Sequence, residues 1–317
     1  MSRGAVGTAG TPGATRRGPA LGAEAPVMLE TAGWEDYALL DSGHGRKLER
    51  YGRYRIVRPE EQAIWTPRRP AAAWDSADAT FVGIGDEEAD GRWRYRKPVP
   101  ETWPLAYDGI GFLGRFTAFR HVGVFPEQIA HWQWMRDRIA SARRPVRVLN
   151  LFAYTGVASL VAARAGAEVV HIDASKKAIG WARENQAHAG LNDLPIRWIC
   201  EDAVRFVERE QRRGSRYDGI VLDPPKFGRG PKGEVWDLFT GLPPLLRACV
   251  SLLAENPLFL ILTAYSIRSS FLSIHELAAE CLEARGGRLE SGELVIREEG
   301  SGRGLSTSLF SRWSHDG

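Results

Sequence analysis

The chain has 317 residues, 44% of them hydrophobic and 26% charged, with a formal net charge of +3. This balance excludes wholesale disorder and leaves enough chain for one large core or two ordinary domains. No run reaches the roughly 18 to 20 apolar residues of a membrane-spanning helix, so a cytoplasmic protein with no membrane partner is expected.

Residues 1–27 are rich in Gly, Ala, Thr and Arg and have no apolar core, which reads as a disordered tail and not a secretory signal. Its acid-poor, Arg-bearing start also shares features with an organelle transit peptide. Residues 28–120 hold short extended segments, such as "GRYRIV", "ATFVGIG" and "GRWRYRK", broken by Gly, Pro and Asp. They predict a small β-rich domain. Trp34, Trp65, Trp74, Trp93 and Trp103 all fall in it, either as core bulk or as a surface on which bases stack.

Residues 126–143 have helical spacing, with Ile129, Trp132, Met135 and Ile139 on one face, and lead into a second domain at 121–317. From Pro145 the rhythm becomes strand, turn, helix, repeated through "VRVLNLF", "EVVHID", "IRWICED" and "YDGIVLDPP". The fold class expected is therefore α/β, Rossmann-like, with a mostly parallel sheet covered by helices on both faces. Gly166 and Gly190 stand where helix C-caps belong. The segments "GRLESGELVIREE" and "STSLFSRW" read as a closing antiparallel pair.

Ligands of open α/β sheets bind beyond the carboxyl ends of the strands. Here the successive strands end in "NLFAYTG", Asp173, Glu201-Asp202 and "DPPKF". Gly156 permits a tight turn and close approach to the main chain, and Thr155 with the following helix start offers donors. Asp173, about 20 residues beyond that turn, can accept both ribose hydroxyls, and Asp202 can accept from the amine of adenine. The deduced ligand is an adenosine. The turn lacks GxGxxG, with Asn150 and Tyr154 in place of glycines, and the chain lacks GxxxxGK[ST]. Without glycines to pack a pyrophosphate, a bulkier cationic group fits better, as in S-adenosylmethionine (SAM).

"VLNLFAYTG", "DASKKAIGWARENQAHAGL" and "IVLDPPKF" resemble motifs of the bacterial class I SAM-dependent methyltransferases that modify large-subunit ribosomal RNA. That family includes 5-methylcytosine and guanine N2 and N7 enzymes. The resemblance spans roughly residues 120 to 317 and implies a seven-stranded sheet. It places SAM along Asn150, Phe152, Ala153, Tyr154, Thr155, Gly156, Asp173, Ala174, Ser175, Asp202 and Ala203, with Asp223 facing the methyl. In "GVFPEQ" it implies that Phe125 and Gln128 touch the cofactor, although Ile129 stands where the family more often has arginine.

Methyl transfer from a sulfonium is chiefly a matter of positioning a nucleophile in line. Asp223 or the Pro224 carbonyl can accept from a target amino group, Pro225 completes a rigid rim, and Phe227 can stack on a flipped base. Lys226, Arg229 and Lys232 form a basic loop suited to RNA phosphate, or else a solvated connection. The 5-methylcytosine members use a cysteine near the end of strand five. Residues 250–280 contain none, so an RNA base nitrogen is the expected acceptor and a small molecule or protein the alternative. A SAM-binding protein without turnover is a third reading. Cys200, Cys249 and Cys281 form no CxxC, so neither a zinc site nor a disulfide framework is indicated and no metal is expected. His121 and His131 read as hydrogen-bonded structural groups, and His171 as sheet packing. The aromatic content permits a homodimer.

Overall fold

The structure, a computed structural model, describes residues 26–83, 91–230, 232–265 and 269–315. The tail expected at 1–27 lies outside the described residues up to residue 25.

The N-terminal segment opens with β1 (Val27–Glu30), β2 (Tyr37–Gly43), β3 (Arg46–Tyr51), β4 (Tyr54–Pro59), a short helix α1 (Ala71–Asp75), β5 (Ala79–Val82) and β6 (Arg92–Tyr95). Strands β2 to β6 form one five-stranded sheet in chain order. A hairpin follows, β7 (Trp103–Tyr107) and β8 (Ile110–Gly114), turning at Asp108-Gly109 with both residues in the left-handed region, as a two-residue Asp-Gly hairpin requires.

The second half contains α2 (Ile129–Ser141), β9 (Val146–Leu151), α3 (Val157–Arg164), β10 (Ala167–Asp173), α4 (Lys176–His188), β11 (Ile196–Cys200), α5 (Ala203–Arg213) and β12 (Gly219–Leu222). A small ribbon, β13 (Phe227–Arg229) and β14 (Val235–Asp237), then leads to α6 (Leu238–Ser251), β15 (Phe259–Tyr265), α7 (Phe271–Leu282), β16 (Arg288–Arg297) and β17 (Gly304–Ser314). The main sheet runs β1-β16-β17-β15-β12-β9-β10-β11. Strands β9, β10, β11, β12 and β15 pair in parallel, and β16 and β17 close the sheet as an antiparallel pair. The seven expected strands are all present, and β1 adds an eighth by pairing parallel to β16. That docking depends on Gly292: a Cβ there would lie 1.9 Å from the Val27 carbonyl oxygen.

Alternation along the buried strands explains the two-sided core. Val148, Val169, Val221 and Ile261 pack with α2, α3 and the N-terminal segment, whereas Leu149, Val170, Leu222 and Leu262 pack with α5, α6 and α7. Ile129, Trp132, Met135 and Ile139 are the buried face of α2, as their spacing predicts. Gly166 and Gly190 follow the last turns of α3 and α4 with positive φ.

The first of these cores also contains Trp34, Tyr51, Ile56, Trp103, Leu105 and Phe112, so the β-rich segment and the second half share packed interior. Trp34, Trp74 and Trp103 are buried, and Trp65 and Trp93 are half-buried with their indole N–H groups bound to protein oxygens. The tryptophans are core bulk. An exposed stacking platform built from them is not what the chain forms.

Candidate functional site

Beyond β9 the chain turns through Phe152, Ala153, Tyr154 and Thr155 to Gly156. Phe152 and Tyr154 adopt positive φ, at 56° and 50°, which costs on the order of 1 to 3 kcal/mol for a side-chain-bearing residue. The surroundings hold them there. The Ala153 N–H donates to the Ile172 carbonyl at 3.0 Å, and Asn185 Nδ2 donates to the Thr155 carbonyl at 2.9 Å. Thr155 Oγ1 donates to the Gly123 carbonyl at 2.7 Å, and the Phe152 ring packs 5.0 Å from Trp236. The Thr155 hydroxyl is thus committed to the chain instead of being held out for a ligand. The close approach at Gly156 is likewise made by protein: a Cβ there would meet Ala182 and Trp198 at 2.9 Å.

Asp173 ends β10 directly beside this turn. Its two oxygens accept one N–H each, from Tyr154 at 2.9 Å and Ser175 at 2.8 Å. Burial raises the carboxyl above its ordinary range, and the two N–H groups pull it back. An ionised carboxylate has about four acceptor sites, so capacity for two hydroxyls remains. Ser175 caps α4 through Ala178, next to half-buried Ala174. Asp202 caps α5, accepting from the Arg205 N–H at 3.0 Å, and Ala203 is buried in the first turn. Its neighbour Glu201 is paired with Arg209.

Asp223 follows β12 and lines a cavity between α2, the 152–156 turn and the strand ends. Gln128, Asn150, Phe152, Ala153, Tyr154, Thr155 and Asp223 line this cavity, whereas Asp173, Ala174, Ser175, Asp202 and Ala203 stand outside it. Gln128 Nε2 donates to Asp223 Oδ2 at 3.2 Å, and Thr263 Oγ1 donates to Gln128 Oε1 at 3.5 Å. Burial, reinforced by the nearby Glu127 carboxylate, pushes Asp223 up to about 7. Asn150 is turned inward, donating to Ser159 Oγ at 3.0 Å, which in turn shares a hydrogen bond with His171.

The rim beyond Asp223 is built as a ribbon. Pro224 is buried, and the Pro225 carbonyl accepts from Trp236 Nε1 at 2.7 Å. Register places Gly228 opposite Trp236 and leaves Phe227, Arg229 and Val235 outward. Phe227 is 62% exposed, with the Lys226 ammonium 5.4 Å from its ring centroid. Arg229 and Lys232 are exposed on the same ribbon, partly offset by Glu234, which pairs with Arg205.

A second wall comes from the chain before α2. Phe119, His121, Phe125, Tyr154 and Tyr265 form a run of ring contacts with centroids 5.3 to 6.1 Å apart. Burial, with Arg58 and Arg120 nearby, lowers His121 to about 3, so its imidazole is neutral. Arg58 reaches this wall from β4: it is bidentate to buried Glu49 and donates to the Arg120 carbonyl at 3.0 Å. Thr263 and Tyr265 were not anticipated, yet both sit at the end of β15, where the strand-end rule applied to a fifth strand would have found them.

Among the described residues no group of His, Cys, Asp and Glu is arranged to hold a metal ion, and no helix is long and apolar enough to cross a membrane. Residues 69–262 match a family profile described as S-adenosylmethionine-dependent methyltransferase. The crystal structure of the SAM-dependent methyltransferase from Agrobacterium tumefaciens is 61% identical, covers 92% of this chain and 94% of its own, and superposes with a TM-score of 0.88. The ribosomal RNA large subunit methyltransferase I of Shewanella denitrificans is 32% identical over 154 residues, which are 47% of this chain and 38% of the relative. The ribosomal RNA large subunit methyltransferase K/L of Syntrophotalea carbinolica is 33% identical over 176 residues, 55% of this chain and 24% of the relative. The chain therefore spans well under half the length of these two relatives.

Proposed function

The chain belongs to the S-adenosylmethionine-dependent methyltransferase family, and from that premise we propose that it methylates RNA, at a base nitrogen of ribosomal RNA. The residues fit the cofactor: Asp173 keeps free acceptor capacity beside the turn, and a cavity adjoins it between α2 and the strand ends, with Gln128 and Asp223 among its lining. Asp173 would hold the ribose, Asp202 and Ala203 would flank the adenine, and the 152–156 turn with Gln128 would flank the remainder. Bound SAM supplies an activated methyl on a sulfonium.

The observation that carries the RNA reading is the joining of Asp223 to an exposed aromatic and basic ribbon. Asp223, held by Gln128, is an acceptor for an amino or ring N–H of a target base. Phe227 offers an exposed face on which an unstacked base can lie, with the Lys226 ammonium beside it and exposed Arg229 and Lys232 further along the ribbon to meet phosphate. Cys249 is fully buried on α6 and Cys281 lies on α7, while Cys200 donates to the Ala174 carbonyl at 3.5 Å. This supports transfer without a cysteine adduct. The reading includes a reducing cytoplasmic setting and a β-rich N-terminal unit that buttresses the site through Arg58.

The test is transfer of labelled methyl from SAM to deproteinised ribosomal RNA, intact ribosomal subunits and a small-molecule extract in parallel. Label in RNA, resolved by nucleoside analysis to a methylated base nitrogen, is the expected result. Label confined to the extract would overturn the RNA assignment and leave the methyltransferase standing.

A further inference from the structure

The inner wall of the cavity holds a polar group with no role in the reading so far. His131 lies on α2 three residues beyond Gln128, hence on the same side of the helix, and lines the cavity with Trp132, Met135, Val221 and Ile261. It is 2% exposed, and neither ring nitrogen has a hydrogen-bond partner among the described residues. One side of the ring is closed by Phe310, edge-on with centroids 5.2 Å apart. Burial, with Arg312 nearby, lowers His131 to about 3, so the ring is neutral, with one donor and one acceptor nitrogen.

Buried polar side chains nearly always find partners, and leaving two nitrogens unpaired is unfavourable. Trp132, Met135, Val221 and Ile261 beside it are apolar and Asn150 is turned to Ser159, so the partner comes from whatever enters the cavity. The site fixes which part that is. The ribose acceptor Asp173 stands outside the cavity, at the end of β10, while the methyl-facing Asp223 lies within it, at the end of β12. A ligand laid across the strand ends from β10 past β9 toward β12 brings the portion beyond its sulfur in under the 152–156 turn, between Gln128 and His131.

We propose that His131 is a cofactor-binding residue that hydrogen-bonds the amino-acid end of SAM, a group carrying an ammonium and a carboxylate. This rests on the SAM reading of the site and is independent of RNA as the acceptor. It also explains why an imidazole occupies a position where a hydrophobe would pack without loss.

Calorimetric titration of the full chain with two probes tests it. S-adenosylhomocysteine carries the amino-acid end, and 5′-methylthioadenosine shares the adenosine and sulfur but lacks that end. His131→Phe should weaken S-adenosylhomocysteine by about ten- to a hundredfold, the size of a lost hydrogen bond to a charged group, and leave methylthioadenosine within about twofold. His131→Gln should recover part of the loss. The melting temperature of ligand-free His131→Phe should equal or exceed that of the native chain, because two unpaired nitrogens are removed. Unchanged binding of both probes would overturn the proposal, with the nitrogens then satisfied by buried water. So would equal loss of both probes together with a lowered melting temperature, which marks a structural histidine. Asp173→Ala, which should weaken both probes, separates these results from failure of the SAM site itself.

Discussion

Gln128 Nε2 and Asp223 Oδ2 are 3.2 Å apart, and this single hydrogen bond joins the segment leading into α2 to the end of β12. Among the described residues it is the one side-chain hydrogen bond of a carboxyl that burial has pushed up to about 7. An acid whose folded-state value is raised binds an extra proton in the native state, so stability falls as pH rises between the unfolded value near 4 and about 7. The ionised group therefore destabilises the fold by about 3 to 5 kcal/mol above pH 7. Asp223→Asn should lose turnover by about a hundredfold or more, yet melt higher than the native chain at pH 8, with the gap narrowing toward pH 5. In the native enzyme turnover should rise with pH through about 7, as the acceptor ionises. A flat pH–rate profile together with equal melting curves would remove Asp223 from this role.

Asp173 serves the turn as well as a ligand. Replacing it by alanine leaves the half-buried Tyr154 N–H without its acceptor, at about 1 to 3 kcal/mol for a buried donor, and opens the exposed Ser175 N–H to water. Asp173→Ala should therefore lower the midpoint of urea unfolding and also abolish measurable SAM binding by calorimetry. Asp173→Asn separates the two effects: it keeps one acceptor oxygen, should recover most of the stability, and should still bind SAM at least tenfold more weakly.

Much of this was legible in the strand ends. "NLFAYTG", Asp173, Asp202 and "DPPKF" mark carboxyl ends of adjacent parallel strands because that is where a doubly wound sheet leaves its loops free for ligands. What was not legible depends on distant pairings. Nothing local to Val27–Glu30 says that it will lie against β16, because Gly292, more than 260 positions away, makes the room. Nothing local to Arg58 or Glu49, on two short strands, marks them as partners, and only the packing of Tyr37, Tyr51 and Lys47 around them reveals a buried pair. The glycine-rich stretch after Asp223 hides a ribbon whose outward face depends on Trp236 finding Pro225 and Phe152. His131 has no sequence signal apart from its three-residue offset from Gln128.

Gly156 sits at φ +85° with Ala182 and Trp198 where a Cβ would go. Gly156→Ala should destabilise the chain by about 1 to 2 kcal/mol for the left-handed backbone and a further 1 to 3 kcal/mol for overpacking. Because the contact is with α4 and β11, the loss should show in chemical denaturation even without ligand. A midpoint equal to that of the native chain would place the demand for glycine elsewhere.

The Arg58–Glu49 pair ties the β-rich segment to the aromatic wall through the Arg120 carbonyl. Burial alone would raise the Glu49 carboxyl, but Arg58 and Lys47 hold it below its ordinary range. Arg58→Met strands that charge and should destabilise the fold by about 3 to 5 kcal/mol, whereas the double change Glu49→Leu/Arg58→Met should recover much of the loss. Denaturant midpoints of the two single variants and the double variant measure the coupling. Simple additivity would show that the two groups do not depend on each other.

RNA affinity should depend on the ribbon in a way salt reveals. Each cation that neutralises a phosphate contributes about 0.7 to the slope of log affinity against log salt for a single strand. Replacing Lys226, Arg229 and Lys232 together by glutamine should therefore flatten that slope by about 2 and weaken binding at low salt, while leaving the calorimetric affinity for SAM unchanged. Phe227→Ala acts on a different quantity, since an uncharged ring releases no counterions. It should leave the slope alone and weaken binding by about 1 to 3 kcal/mol for one stacked base. If the triple variant keeps the native slope, the phosphate contacts lie elsewhere on the surface. If Phe227→Ala binds and turns over like the native chain, no base rests on that ring.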